Sequence, residues 1–337
     1  MNEVTLYYLL TFPDAVKSSI TPGEKITGLK DAPYFQPVDI SVHSLPGQTA
    51  QVESATVTVT RQRYDERIQV VECRYTLPDP LSMAGIHDRE RIQTSLRTQL
   101  IPPEYRNNGL YEEYAILCLS QINGTPDAFV KDNTATLARF IRFQRESLDP
   151  AEINEILVSR VRYSQEDLTL VDWEAAVIIA PQGDFQSDIE LLKIGNYQLL
   201  RYRILDESIE EILRNINHEF LLNTKSRFKP SRSSLRRIIT HRLEIAIDFE
   251  HTDQNLLLIG DWYTAKLFTI IRSEFYLDEW KSAVRTKLAN LEEIVNTIQE
   301  NFSLTFAGLM ENVQLVGWIL LLIGYFVLFF FDAGFVK

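Results

Sequence analysis

The chain has 337 residues, a formal charge of −12 at pH 7 and 45% hydrophobic residues, with a mean hydropathy of −0.11. That length suits one large domain or two ordinary ones, and the hydropathy excludes a protein mostly embedded in a membrane. The acidic balance excludes wholesale coating of nucleic acid while leaving room for a local basic site. The two cysteines, Cys73 and Cys118, sit inside apolar, strand-like runs, so neither a disulfide framework nor a zinc site is expected.

The expected fold class is α+β: a mixed α/β region over residues 1–203, then helices, then a membrane segment. Val4 to Phe12, Ala55 to Arg61 and Ile68 to Leu77 are rich in β-branched and aromatic residues and alternate as strands do. Asp88 to Leu100 reads as a helix with Ile92, Leu96 and Leu100 on one face, and Pro102-Pro103 and Asn107-Asn108-Gly109 mark the turn that follows. Glu113 to Gln121 and Glu174 to Gln182 share Glu, Ala and Gln around an aliphatic core, and each precedes a helical stretch. They read either as a duplicated βα unit near 113–143 and 174–200 or as two strands of similar composition.

Residues 204–276 read as helical. Ile209, Ile212, Leu213, Ile216 and Phe220 line one face, with Asp206, Glu207, Glu210 and Glu211 as acids at the start of that helix. Leu243, Ile245, Ile247 and Phe249 fit a helix or an alternating strand. Between Phe220 and Leu243 there is no acid, yet Lys225, Arg227, Lys229, Arg232, Arg236, Arg237 and Arg242 are all basic. Ser231, Ser233 and Ser234 are placed to cap the helix that follows. Such a patch suits a phosphate-bearing partner, either RNA or the ribosome, an anionic lipid or a nucleotide. It equally suits a solvated face paired with the acidic helix before it.

Residues 277–312 carry a heptad pattern. Leu277, Val284, Leu291 and Ile298 fall seven apart, with Leu288, Val295 and Phe302 at the complementary position. The seam is expected to pack as a hairpin on the preceding Asp261 to Phe275 and to support a homo-oligomer. From Val313 to Phe331 nineteen residues carry no formal charge. A helix of that length spans roughly 28 Å, close to a bilayer's core. It reads as a tail anchor, with Gly317 and Gly324 as its packing positions. No export signal is evident at the start of the chain. The expectation is therefore single-pass membrane localisation with the bulk of the chain in the cytoplasm or an equivalent organelle interior.

No Gly-rich phosphate loop, HExxH, CxxC, GxSxG or calcium-loop spacing occurs. His43, His87, His218, His241 and His251 are scattered without metal spacing. No catalytic residue, metal or cofactor is assigned on this basis.

Two architectural resemblances complete the reading. Arg242 to Phe249 (RLEIAIDF), Leu277 to Ile294 (LDEWKSAVRTKLANLEEI), Tyr202 to Leu213 (YRILDESIEEIL) and the terminal apolar run resemble the order found in the Rmd/Sif family. That likeness covers about the last 140 residues; where the family has a Ser-His-Ala-Leu-Ala-Gln-Ser type segment, this chain reads KIGNYQLL from Lys193. It implies a membrane-anchored, oligomeric, non-enzymatic scaffold or tether, with ribosomes as a partner. The layout also resembles CorA-type magnesium channels, although Gly308-Leu-Met-Glu-Asn312 only echoes their Gly-Met-Asn loop. A channel or ion transporter is thus the alternative, and a ligand-sensing membrane effector a second one.

Overall fold

The computed structural model describes residues 4–14, 24–26, 38–218, 232–254 and 262–332. Contacts divide the chain into two compact units, residues 1–208 with 247–284, and residues 209–246 with 285–337.

The first unit is built on a nine-stranded sheet: β1 (Val4–Pro13), β2 (Glu24–Ile26), β3 (Val38–Val52), β4 (Ala55–Tyr64), β5 (Ile68–Leu77), β6 (Glu112–Leu119), β7 (Arg160–Val161), β8 (Leu168–Val171) and β9 (Ala175–Ile179). Their order is β2-β3-β4-β5-β1-β6-β9-β8-β7. Neighbours run antiparallel except β6 and β9, which pair in parallel with Ala115 opposite Ala175. The two similar segments singled out in the sequence are therefore adjacent strands. Tight reversals join β3 to β4 and β4 to β5, with Glu53, Asp65 and Glu66 at positive φ.

Alternation gives the sheet two different faces. On one, Leu6, Tyr8, Leu10, Val57, Val59, Val71, Cys73, Leu117 and Val177 form a continuous apolar cluster. Helices α1 (Met83–Leu100), α4 (Thr134–Ile141) and α5 (Pro150–Val158) contribute Ile92, Leu96, Leu137, Phe140 and Ile156 to it. Ser82 starts α1 by accepting the Gly85 N–H at 3.1 Å. Gly85 is obligatory there, because a Cβ would lie 1.9 Å from the Asp79 carbonyl oxygen. The short helices α2 (Pro103–Asn108) and α3 (Pro126–Asp132) carry proline in their first turns. The other face holds Leu9, Ile116 and Ile178 beside polar residues, among them Thr11, Glu72 and Thr169. The polar side chains Lys193, Asn196 and Gln198 of α6 (Gln186–Ile216) are buried.

The second unit collects three helical segments: the end of α6, the first part of α7 (Arg232–Gln254) and α9 (Leu277–Asp332) from Arg285 onward. Ile209, Ile212 and Ile216, then Leu235, Ile238 and Ile245 (the last inside α7), then Leu291 and Val295 are buried. Before it, α8 (Trp262–Glu274) ends two residues short of α9, and the reversal is made by Tyr276 at φ 50°.

Two expectations are corrected, and one alternative left open by the sequence is decided. Among the described residues, no helix is long and apolar enough to cross a membrane. The transmembrane anchor in the fold class and the tail-anchored, single-pass membrane localisation are corrected on this finding. The acids Asp206, Glu207, Glu210 and Glu211 do not open a helix, since α6 begins at Gln186 and nothing breaks it before them. Leu243 to Phe249 is helical, inside α7.

Candidate ligand-binding site

A cleft of about 440 Å³ opens in the first unit at the amino ends of the parallel pair β6 and β9. Glu112, Glu113 and Tyr114 come from β6, and Trp173 and Glu174 from the residues that lead into β9. Helix α1 supplies Arg89, Gln93 and Arg97 at helical spacing along one side. Asn196 and Leu199 of α6, Phe143 just past α4, and Phe275 just past α8 complete the walls. The volume lies within the range of metabolite-sized pockets, roughly 300–1,000 Å³.

Arg89 is the unusual residue. It is 0% exposed, and among the described residues none of its three guanidinium nitrogens has a hydrogen-bond partner. Its Cζ lies over the Phe140 ring at 4.0 Å and over the Phe143 ring at 4.4 Å from their centroids. Burial pushes its pKa down to about 10, against the pull of Tyr75, Glu174, Glu90 and Tyr8. Ring contacts return part of the lost hydration, but a buried cation without hydrogen bonds carries a penalty of several kcal/mol. Phe143 adds strain: it is a bulky side chain at φ 52°, left-handed backbone that costs about 1–3 kcal/mol outside glycine.

The other charges of the cleft are matched. Arg97 Nη1 donates to both Glu113 oxygens, at 2.9 and 3.2 Å, and Tyr8 donates its hydroxyl proton to the same carboxylate. Burial raises Glu112, though Arg203 pulls it back; that arginine binds the carboxylate and donates to the Gly109 carbonyl at 2.6 Å and the Tyr111 carbonyl at 3.1 Å. Glu90 is bound by Arg145. Glu174 is the exception among the acids. It is exposed, has no side-chain hydrogen bond or ion pair among the described residues, and burial of its surroundings raises its pKa while Arg142 and Arg89 act in the opposite sense.

Aromatic side chains fix the remaining wall. Phe275 meets Tyr114 edge-on at 5.1 Å and Trp173 at 6.4 Å, and Trp173 packs on Tyr276 at 5.6 Å. Tyr114 donates to the Asp172 carbonyl at 2.8 Å. Phe275 can come this close because Gly195 faces it across α6: a Cβ there would lie 2.5 Å from Ile271 Cγ2 and 3.0 Å from Phe275 Cε2.

The residues singled out in the sequence lie elsewhere. Lys225, Arg227 and Lys229 are outside the described residues, as is the side chain of Arg232. Arg236 and Arg237 are exposed on α7, and Arg242 Nη2 lies 2.7 Å from Glu292. Leu277, Val284, Leu291 and Val295 are buried within the chain, and Leu288 and Ile298 are half-buried; the side chain of Phe302 is not among those described. Gly317 and Gly324 have nothing within 4 Å of a Cβ position. Among the described residues no group of three metal-ligating side chains occurs. Sequence reasoning passed over Arg89, which sits in the charged run Asp88 to Arg91. The signal was its spacing, three residues from both Ile86 and Ile92, which puts a cation on the apolar stripe of α1.

Comparison with known proteins agrees with none of the expected resemblances. No solved structure matches the chain. The Rmd/Sif likeness is corrected: it rested on the order of helices near the end of the chain, and amphipathic and heptad helices recur in many helical proteins. The family match falls instead largely on the sheet-bearing residues. Residues 29–186 match the family described as "Uncharacterized protein MJ0711, N-terminal domain". The chain is 26% identical over 218 residues to the uncharacterized protein MJ0711 of Methanocaldococcus jannaschii, a match spanning 65% of this chain and 66% of that protein's length.

Proposed function

We propose that this chain is a ligand-binding protein whose sheet-bearing unit receives a small anionic molecule in the cleft, with Arg89 as its anchor. The observation that carries the reading is a wholly buried guanidinium with no hydrogen-bond partner in a cleft of metabolite size. A fold gains nothing in stability from such a group, whereas an arriving carboxylate or phosphate would satisfy it with charge-assisted hydrogen bonds. Phe143 is the means of access. Its ring is half-buried, lines the cleft and lies over the guanidinium, and its strained backbone sits in a turn beyond the end of α4. Displacing that ring exposes the donors.

The test is thermal unfolding of the full chain, wild type and Arg89→Met, with and without sulfate, phosphate and acetate. The reading expects anions to raise the wild-type midpoint and leave the variant unmoved, with the variant at least as stable as wild type without anion. A variant that is several degrees less stable and still shifted by anions would make Arg89 a structural residue and end the proposal.

A further inference from the structure

Resting on the anion-site reading above, we infer that the ligand is a zwitterion carrying a flat apolar group: its acid meets Arg89 and its amine meets Glu174. The inference follows from which charges of the cleft are already matched. Arg97 and Glu113 neutralise each other, Glu112 is held by Arg203, and Glu90 by Arg145. What remains among the described residues is one cation and one anion, Arg89 and Glu174, both lining the same cavity and not close enough to form an ion pair. A simple anion would leave Glu174 facing it, a like charge in a confined site. A ligand with both charges matches both ends.

The apolar group follows from the rings that line the same cavity. Tyr114 and Phe275 are each 1% exposed, so their rings are held in place, while Trp173, 39% exposed, presents its ring at the cavity. Rings at 5.1 and 6.4 Å from one another continue naturally into a further ring by offset or edge-on contact. The cavity of about 440 Å³ has room for such a molecule.

Three probes that differ by one group separate the possibilities: L-tryptophan, indole-3-propionate, which lacks the amine, and tryptamine, which lacks the carboxylate. Calorimetric titration of the full chain should show tryptophan binding at least tenfold tighter than either partial analogue. Glu174→Gln, a change at an exposed position, should bring tryptophan down to the level of indole-3-propionate and leave the latter unchanged. Arg89→Met should abolish both. If indole-3-propionate binds wild type as tightly as tryptophan, or if Glu174→Gln keeps the tenfold preference, the zwitterion is wrong while the anion site stands. If none of the probes binds but sulfate or phosphate still raises the melting midpoint through Arg89, the same conclusion follows. Failure of the probes and of the inorganic anions together would overturn both readings.

Discussion

Two buried cations lie against opposite faces of one sheet, and the protein treats them in opposite ways. Lys193 of α6 is 2% exposed, but its Nζ is held by Glu72 from β5 and by Glu190 at 2.8 Å. Burial alone would lower its pKa; Glu190 and Glu72 outweigh that and raise it. Arg89 of α1 is 0% exposed, among rings, and its pKa falls to about 10. The first is a completed network of the kind that fixes one arrangement of a core. The second is an incomplete one, and the difference between them separates a structural charge from one kept for a partner.

The sharpest way to break this contrast is to remove each charge in turn. Lys193→Met strips a buried cation from two half-buried carboxylates, Glu72 and Glu190, so the loss should be about 3–5 kcal/mol. Arg89→Met, by contrast, is expected to be neutral or to stabilise by about 1–4 kcal/mol. Urea unfolding of both variants checks this, and equal losses would erase the distinction.

A smaller effect is expected where α8 meets α6. Gly195→Ala brings a Cβ within 2.5 Å of Ile271, and overpacking of about 1–3 kcal/mol exceeds the ~1 kcal/mol gain in helix propensity. The same change should shift Phe275 and weaken ligand binding, whereas Lys193→Met should leave the affinity of the folded fraction unaltered. Unfolding and titration on the same preparation separate the two outcomes.

Next in size is a pH effect at the cleft. Burial raises Glu174, as it does Asp172 and Glu112. A raised carboxyl holds its proton in the folded state after the unfolded chain has released it. Stability from these groups is therefore present below the ordinary carboxylate pKa and is lost as pH rises through the raised folded values. Glu174→Gln should flatten that decline by less than about 1 kcal/mol, because water screens the exposed group; melting midpoints from pH 4 to 7 would show it. The smallest expected signal is a null one. Burial pushes Cys73 up to about 12 and Cys118 higher still, so neither thiol should react with iodoacetamide at pH 8 until the chain unfolds. Rapid labelling of native protein would show that the sheet opens on both faces.

The strands that could be read from sequence are β1, β4 and β5, by clean alternation, and β6 and β9, by their aliphatic cores. Strand β3 was hidden by Pro46-Gly47, which the structure accommodates with a register shift between Leu45 and Gln48. Strand β8 has only four residues. Helix α6 reads from sequence as two stretches, one over Phe185 to Leu200 and a second from Ser208, because Asp206, Glu207, Glu210 and Glu211 imitate a helix start; the structure joins them in one helix, Gln186–Ile216. The candidate site was illegible for a different reason. Its parts come from α1, β6, the approach to β9, and single residues after α4 and α8, so no local spacing reports them. The basic run near Arg236, legible as composition, has only part of its length among the described residues.

The left-handed backbone of Phe143 has a consequence for any attempt to improve this protein. At φ 52° glycine, and to a lesser degree asparagine, relieves backbone strain that other residues keep. Random libraries screened for heat resistance alone should therefore enrich glycine or asparagine at Phe143. Such survivors would gain degrees while losing the ring that closes over the anchor, and only a second screen for ligand response would reveal what they had given up.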